Sequence, residues 1–333
     1  MRAGTYLVLL LLAQVLWGCA TEAPVKTTEV RAFESPQDFY SRGNEDLTKG
    51  QNEKAIKEYT RALELDPKHS HANNHRGIAY KRLNRFDLAM ADFNRALELD
   101  PNDADSYANR GLIYSVQRRF DLALKDFDRA IQLDPQLAMA YWGRGSALIG
   151  KGQRDQAMQD FNKAIELNPN TFEFFLSRGM AFLTENKIDL ALADFHRGVK
   201  VNPQRPEGYF LLGFIYFDKA QYQQAIAILT RGINLSPKIE RDELQALLFR
   251  AQAYEKTGEP QKALADYRSI LRAAIPSLEK ESRYATWRVR ELEAGGSPGK
   301  PTVLKPEPPP EPFKSESIFK TKGKKFTPAK TNE

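Results

Sequence analysis

The sequence contains one cysteine in 333 residues, which excludes a disulfide framework and any zinc site that needs several cysteines. A composition of 41% hydrophobic and 28% charged residues excludes a multi-span membrane protein. Neither sign of charge dominates, because 49 Lys and Arg face 43 Asp and Glu. Residues 295–333 hold eight Lys and four Glu, and therefore +4 of the net charge of +6. The rest of the chain is nearly neutral, so we expect no nucleic-acid partner.

Motifs of catalysis are also missing from the sequence. It has no G-x-S-x-G, no H-E-x-x-H, no phosphate-binding loop and no Cys–His pair, so we expect no catalytic residue, no cofactor and no enzyme. His69, His71 and His75 lie close together, and a spacing of one helical turn between the last two can hold a divalent metal. No carboxylate or Cys completes a ligand set at motif spacing, so we expect no metal site.

The single cysteine follows a short apolar segment. Arg2 precedes an uncharged run over 6–17, which is too short to span a bilayer and has the size of a secretory signal. The run ends in Leu16-Trp17-Gly18-Cys19, which resembles the lipobox of bacterial lipoproteins, although Trp17 departs from the usual small residue. The alternative is an ordinary signal peptide in which the cysteine is incidental.

The lipobox resemblance implies a membrane anchor. Residues 1–18 would be the signal peptide, Cys19 would carry a diacylglycerol and an amino-terminal acyl chain such as palmitate, and residues 19–35 would be a linker. Several acyl chains hold a protein on a membrane far better than one. Ala20 is not the acidic residue that retains such lipoproteins in the inner membrane, so the resemblance implies the outer membrane, facing the periplasm.

Four series of residues recur at a spacing of 34, which indicates an internal repeat. They are Pro67, Pro101, Pro135, Pro169, Pro203 and Pro237; Gly43, Gly77, Gly111, Gly145, Gly179 and Gly213; Ala55, Ala89, Ala123, Ala157, Ala191 and Ala225; and Tyr59, Phe93, Phe127, Phe161 and Phe195. Within each unit, apolar residues at helical spacing flank a polar turn, so a unit is predicted to be a helix–turn–helix. The proline cannot continue the second helix.

This pattern resembles the tetratricopeptide repeat, and the resemblance implies an all-α, right-handed superhelical solenoid of about seven units. The units are 36–69, 70–103, 104–137, 138–171, 172–205, 206–239 and, after a four-residue insertion, 244–277. The repeats therefore span 36–276, with Ser35 as the N-cap of the first helix. Residues 277–294 are predicted to form a capping helix, and residues 295–333, with eight Pro, an extended disordered tail.

Charged residues also recur in the units, with an arginine before the repeat glycine in the first five units and an acid before each repeat aromatic. They could form an arginine ladder for phosphates. Their nearly equal numbers favour charge pairing between the helices of neighbouring units, where exposed pairs contribute about 0–1 kcal/mol each.

In the tetratricopeptide family the first helix of each unit lines a concave groove. The groove positions here are mostly polar in the second and third units, where Leu112 is an exception, and include an apolar series in the fourth to sixth. The polar ones include His71, Asn74, Lys81, Asp105 and Asn109. The apolar ones are Met139, Trp142, Leu176, Met180, Leu183, Phe210, Phe214 and Phe217. We interpret the apolar set as anchors for a partner, because aromatic and Met residues are enriched where binding energy concentrates. The alternative is that some of them pack inside the solenoid.

One known groove chemistry is missing. In chaperone-binding relatives, basic and Asn residues grip a terminal carboxylate. Here Asn44 is present, but Tyr40, His75, Asp105 and Asn109 stand at the other clamp positions, so that clamp is absent.

The sequence thus favours a membrane-anchored scaffold that binds other envelope proteins or peptides. A regulatory subunit that activates one envelope hydrolase or protease is the alternative, and the absent clamp and the signal segment oppose a soluble co-chaperone. Lys322-Gly-Lys-Lys325 in the tail could contact anionic lipid or the cell wall, although a solvated tail is the simpler interpretation.

Overall fold

A computed structural model of the chain describes residues 34–236, 240–273 and 279–294, and this part consists of fifteen helices without a strand. The first eight are α1 (Pro36–Thr48), α2 (Asn52–Leu65), α3 (Ser70–Arg82), α4 (Phe86–Leu99), α5 (Ala104–Val116), α6 (Phe120–Leu133), α7 (Ala138–Gly150) and α8 (Arg154–Leu167). The others are α9 (Phe172–Thr184), α10 (Ile188–Val201), α11 (Pro206–Asp218), α12 (Tyr222–Leu235), α13 (Arg241–Lys256), α14 (Pro260–Ala273) and α15 (Glu279–Glu293).

The helices are arranged as pairs that follow one another along the chain. Helices α1 and α2 form the first unit, and α13 and α14 the seventh. Each helix packs on the next one in the chain, and most first helices also contact the first helix of the following unit. Each unit therefore touches mainly its neighbours, as in a solenoid. The prediction of an all-α fold built from paired helices is confirmed.

The repeat residues pack the two helices of each unit together. The repeat alanines and aromatic residues are almost completely buried. A Cβ atom on Gly77 would lie 2.7 Å from Cε1 of Phe93, and one on Gly145 would lie 2.8 Å from Cε1 of Phe161. Only glycine allows this approach without displacing the ring, so the periodic glycines are packing positions.

The arginine series forms ion pairs inside the first five units and the seventh, which corrects the predicted pairing between neighbours. Arg144 donates from Nε and Nη2 to Asp160 of the same unit, at 2.8 and 2.7 Å, while its Nη1 donates to Asp128 of the preceding unit at 2.8 Å. The repeat aspartates lie between two packed helices, so these pairs are buried on the acidic side rather than exposed. Pairs with the same spacing of 16 residues are Arg42–Glu58, Arg76–Asp92, Arg110–Asp126, Arg178–Asp194 and Arg250–Asp266.

The seventh unit absorbs the insertion by lengthening its first helix. Helix α13 has 16 residues, whereas α1 has 13. Arg250 donates to Thr230 across 20 residues, four more than the 16 between Arg110 and Asn94 in the third unit. Helix α15 then packs on α13 and α14. Its Arg288 is 2% exposed and donates to Glu255 at 2.9 and 2.6 Å.

Ser35 acts as the N-cap of α1, as predicted, and shares a capping box with Asp38. The signal segment, Cys19, Pro237, the closing Pro276 and the basic tail lie outside the described residues. None of the described helices has the length and apolar character needed to cross a membrane.

Candidate protein-binding groove

The first helices of consecutive units lie side by side and form one face of the solenoid, which we call the inner face. Side chains on this face reach from one first helix to the next. Lys81 of α3 donates to Asn109 of α5, and Trp142 of α7 donates to Ser177 of α9. Contacts of this kind decide which inner-face residues remain available to a partner.

The apolar half of the inner face, which the first helices of units four to six form, is largely buried by packing within the solenoid. Trp142 is 3% exposed, Met180 is 7% exposed, and Phe210 and Phe214 are completely buried. The Trp142 Nε1–H donates to Ser177 Oγ at 2.8 Å, and the rings of Phe214 and Phe249 lie 4.9 Å apart. The prediction that these four residues are accessible anchors is therefore wrong, because each fills the space between two first helices or between a first helix and its neighbours.

The other four predicted anchors are half-buried. Met139 packs against the cluster that contains Trp142, and Leu176 and Leu183 pack against the cluster that contains Met180. The ring of Phe217 lies 5.1 Å from that of Phe249. Of the eight apolar residues, these four keep some surface that a partner could contact.

Polar residues of the first two units satisfy one another. Asn44 Oδ1 accepts from the Tyr59 hydroxyl at 2.7 Å and lies 2.6 Å from His75 Nδ1. Because this oxygen can only accept, Nδ1 of His75 carries the hydrogen. The His75 ring also stacks on Tyr40 at 5.3 Å, and burial lowers its pKa. At neutral pH this imidazole is uncharged and held in one orientation, which differs from a cationic clamp.

The neighbouring histidines have structural partners too. His69 Nδ1 accepts from the Ala72 backbone N–H at 3.2 Å and caps helix α3. His71 is exposed, with its ring 6.4 Å from that of His69. In the described part of the chain, no group of three or more His, Cys, Asp or Glu is placed to hold a metal ion.

Lys81 lies on the polar half of the inner face, which the first helices of units two and three form. Its hydrogen-bond partner is an uncharged side chain. Its ammonium donates to Asn109 Oδ1 at 2.7 Å, and Asn109 Nδ2 donates to Asn74 Oδ1 at 3.2 Å. Asn74 is 3% exposed, and Lys81 itself is half-buried. Desolvation, with a smaller contribution from the adjacent Arg82, lowers the pKa of Lys81 to about 8. Lys81 is thus a partly desolvated cation on the inner face, and no carboxylate of the described residues forms an ion pair with it.

Models of the tetratricopeptide repeat match residues 40–104, 104–137, 138–171 and 206–239. Residues 40–171 and 206–239 are tetratricopeptide repeats. Repeats of this family are generally non-catalytic protein-interaction scaffolds. The fifth and seventh helix pairs have the same architecture, although these models do not cover them.

Solved tetratricopeptide structures resemble this chain. The structure of PilF from Pseudomonas aeruginosa is similar over 68% of this chain and 97% of that chain, with 18% identity and a TM-score of 0.56. MamA covers 48% of this chain and 94% of its own, and YrrB, described as having an unusual peptide-binding site, covers 56% and 96%. Both are 24% identical with a TM-score of 0.40. At this identity the PilF similarity shows the fold alone. No curated protein matches the chain significantly.

Sequence reasoning placed Lys81 among the polar groove residues but did not single it out. An alignment of the repeats shows that its positive charge is unusual at this position. The twelfth position holds no cation in the other six units: it is Leu47, Ser115, Ile149, Leu183 and Phe217 and, in the seventh unit, Glu255. The tetratricopeptide scaffold therefore does not require a cation at this position.

Proposed function

We propose that this chain is a protein-interaction scaffold of the bacterial envelope that binds segments of partner proteins on the inner face of its tetratricopeptide repeats. The observation that carries the proposal is the polar half of the inner face. There, none of the residues that the structure describes gives Lys81 a counter-charge, and the side chains at groove positions differ from unit to unit.

The contrast with the scaffold residues supports this assignment. Periodic residues are explained by packing or by ion pairs inside the solenoid, as with Phe127 and the Arg110–Asp126 pair. The fifth position of the first four units instead holds Tyr40, Asn74, Ala108 and Trp142. Trp142 and Ala108 at this position are buried in the solenoid, whereas at the second position Gln37, His71 and Asp105 are exposed and differ from unit to unit, so packing does not set their identity.

The envelope part of the proposal depends on the amino-terminal sequence. A signal-sized apolar run that ends at Cys19 gives a lipid anchor at the start of the mature chain, facing the periplasm from the outer membrane. Mass spectrometry of protein from envelope fractions tests this directly. We expect Cys19 to be the amino-terminal residue, with a diacylglycerol on its thiol and an acyl chain on its amino group. An unmodified thiol there would remove the anchor from the proposal.

Partner binding is tested by capture from detergent-solubilised envelopes with two variants of the second unit. His71→Glu places a charge on the inner face, and Leu88→Glu places the same charge on helix α4 of the opposite helix layer; both parent side chains are exposed. We expect at least one captured protein to be lost with His71→Glu and kept with Leu88→Glu. Equal capture by both variants, or a loss confined to Leu88→Glu, would contradict the use of the inner face.

A further inference from the structure

The second helices of the units form the outer layer of the solenoid, and the charge of this layer changes along the chain. In α2, α4, α6 and α8, the charged residues that are not buried are nine Asp or Glu and eight Lys or Arg. In α10, α12 and α14 they are one Asp and six Lys or Arg. The other two aspartates of these three helices, Asp194 and Asp266, are buried in ion pairs with Arg178 and Arg250. The outer layer is therefore balanced in the first four units and basic in the last three.

The change follows from the loss of acidic partners at one repeat position. A cation recurs at a spacing of 34 on the second helices, as Arg61, Arg95, Arg129, Lys163, Arg197 and Arg231. In the first, second and fourth units it pairs with a glutamate three residues later, at 2.6, 2.9 and 2.8 Å. After Arg197 and Arg231 that place is taken by Lys200 and Asn234. The fifth and sixth units therefore keep the repeat cation and lose its partner.

Four cations of α10, α12 and α14 form no ion pair with a carboxylate of the described residues. They are Arg197, Lys200, Arg231 and Arg272, which we call the basic outer surface. Arg231 lies over the Tyr209 ring at 5.0 Å, and Arg272 donates to the Ser269 hydroxyl at 2.9 Å. Neither contact neutralises the charge. The two remaining cations of these helices pair with glutamates that lie outside them.

The repeat fold does not require these four cations. Lys200 and Arg272 lie in the last turns of α10 and α14, where a cation interacts favourably with the helix dipole. The last turns of α2, α4, α6, α8 and α12 contain no basic residue, and these helices form all the same. All four side chains are exposed, so packing does not explain them either.

The surface between the cations is small and uncharged. Ala193 and Ala227 lie one helical turn before Arg197 and Arg231 and are exposed on the same side of their helices, and Ala265 of α14 is exposed too. None of the exposed residues of these three helices is Phe, Tyr or Trp, the types that commonly anchor a protein partner. Because α11 packs on α10 and α12, and α13 on α12 and α14, the cations spread over three adjacent units. A distributed positive surface without aromatic anchors fits an extended anionic surface.

We propose that the basic outer surface of the last three units docks on the anionic headgroups of a lipid bilayer. The inference goes beyond the proposed function, because it concerns the helix layer opposite the inner face. Docking through the outer layer leaves the inner face directed away from the lipid and open to a partner protein. Attraction of this kind acts within the electrostatic screening length, so salt weakens it.

The test is sedimentation of the full-length protein with vesicles of phosphatidylcholine alone and of phosphatidylcholine mixed with an equal part of phosphatidylglycerol. The proteins are the wild type, Arg197→Glu/Arg231→Glu and the control Arg61→Glu/Arg95→Glu. The control makes the same change of charge at the same repeat position, in units where the cation has an acidic partner. Every protein keeps Cys19 and residues 295–333, so whatever these contribute is common to all three.

We expect the wild type and the control to bind the phosphatidylglycerol vesicles about tenfold or more tightly than the phosphatidylcholine vesicles, and Arg197→Glu/Arg231→Glu to lose most of that difference. Raising the salt from about 0.1 M to about 1 M should remove it, because the screening length falls from about 10 Å to about 3 Å. An equal loss in both variants would mean that net charge alone matters, and would overturn the proposal. No loss in Arg197→Glu/Arg231→Glu, or no preference of the wild type for phosphatidylglycerol, would overturn it as well.

Soluble poly-L-glutamate separates a lipid surface from an acidic protein segment. We expect the wild type to bind it more weakly than the phosphatidylglycerol vesicles, because a single chain contacts fewer of the distributed cations than a plane of headgroups does. Binding that is as tight as to the vesicles and is lost in Arg197→Glu/Arg231→Glu would assign an acidic polypeptide and overturn the lipid assignment.

Thermal unfolding by circular dichroism checks that the variants fold, and exposed substitutions of this kind usually change stability little. If charge reversal lowers the melting temperature, Arg197→Gln/Arg231→Gln and Arg61→Gln/Arg95→Gln replace the two variants, with the same expected contrast and the same contradicting outcomes. Failure of the vesicle experiment leaves the proposed function standing, because capture with His71→Glu tests the opposite helix layer.

Discussion

Phe214 and Lys81 show that the burial of an inner-face side chain depends on which residue of the next first helix it contacts. Phe214 meets Phe249 of α13, and the two rings are buried together. Lys81 meets Asn109 of α5, which takes one hydrogen bond and leaves the charge unneutralised. Both residues occupy groove positions in the repeat pattern, so the pattern alone does not distinguish packing from binding.

Phe214→Ala should lower the free energy of unfolding by about 3–5 kcal/mol, because it leaves a cavity beside Leu229 and Phe249. Phe217→Ala, on the same helix but half-buried, is the control and should cost less. Urea unfolding monitored by circular dichroism measures both. If Phe214→Ala were the milder change, the buried position of this ring would be contradicted.

Lys81 should also give the chain a pH-dependent stability. Its pKa is about 8 in the folded protein, against 10.5 for an ordinary lysine. Between these values the unfolded chain holds a proton that the folded one lacks, so this group makes stability rise with pH. Lys81→Met should be more stable than the wild type at pH 7, and the difference should shrink by pH 10. Urea unfolding across that range checks it, and a constant difference would contradict the lowered pKa.

At the scale of helices, the repeat pattern predicted the paired architecture and the packing of the periodic residues. A spacing of 34 fixes the phase of every helix, so burial of Phe161 and Ala157 followed from the sequence. The pattern did not predict that the insertion would extend α13, because extra residues can form either a loop or another helical turn. It also missed the burial of Trp142, which depends on contact with Ser177 in the next unit, 35 residues away.

The ion pairs that join the helices should differ in strength according to burial. Arg144 contacts two aspartates, Asp160 with 8% and Asp128 with 53% of the side chain exposed. Asp160→Ala removes the buried bidentate partner and should cost about 3 kcal/mol. Asp128→Ala removes an exposed partner of the same arginine and should cost less than about 1 kcal/mol. Chemical denaturation of both variants makes the comparison, and equal losses would show that burial does not set the strength of these pairs.

At the scale of the whole molecule, contacts between neighbouring units determine how damage spreads. Each unit packs on the one before it and the one after it, and α15 covers the last pair. The stability of such an array is approximately a sum of unit and interface contributions. A defect in one unit should therefore weaken its neighbours more than distant units.

Gly145→Leu in the fourth unit tests this. A Cβ at this position would lie 2.8 Å from Phe161 Cε1 and 3.2 Å from the Ala157 carbonyl oxygen, and Phe161 is only 1% exposed, so the ring has little room to move. Overpacking of this kind typically costs about 1–3 kcal/mol, occasionally more. Hydrogen exchange should show the largest loss of protection in α7 and α8, a smaller loss in α6 and α9, and almost none in α1 or α14. Gln156→Leu on the exposed side of α8 is the control and should change protection little. Uniform loosening from the first unit to the seventh would mean that the solenoid unfolds as a single cooperative block, contrary to the contacts that hold it together.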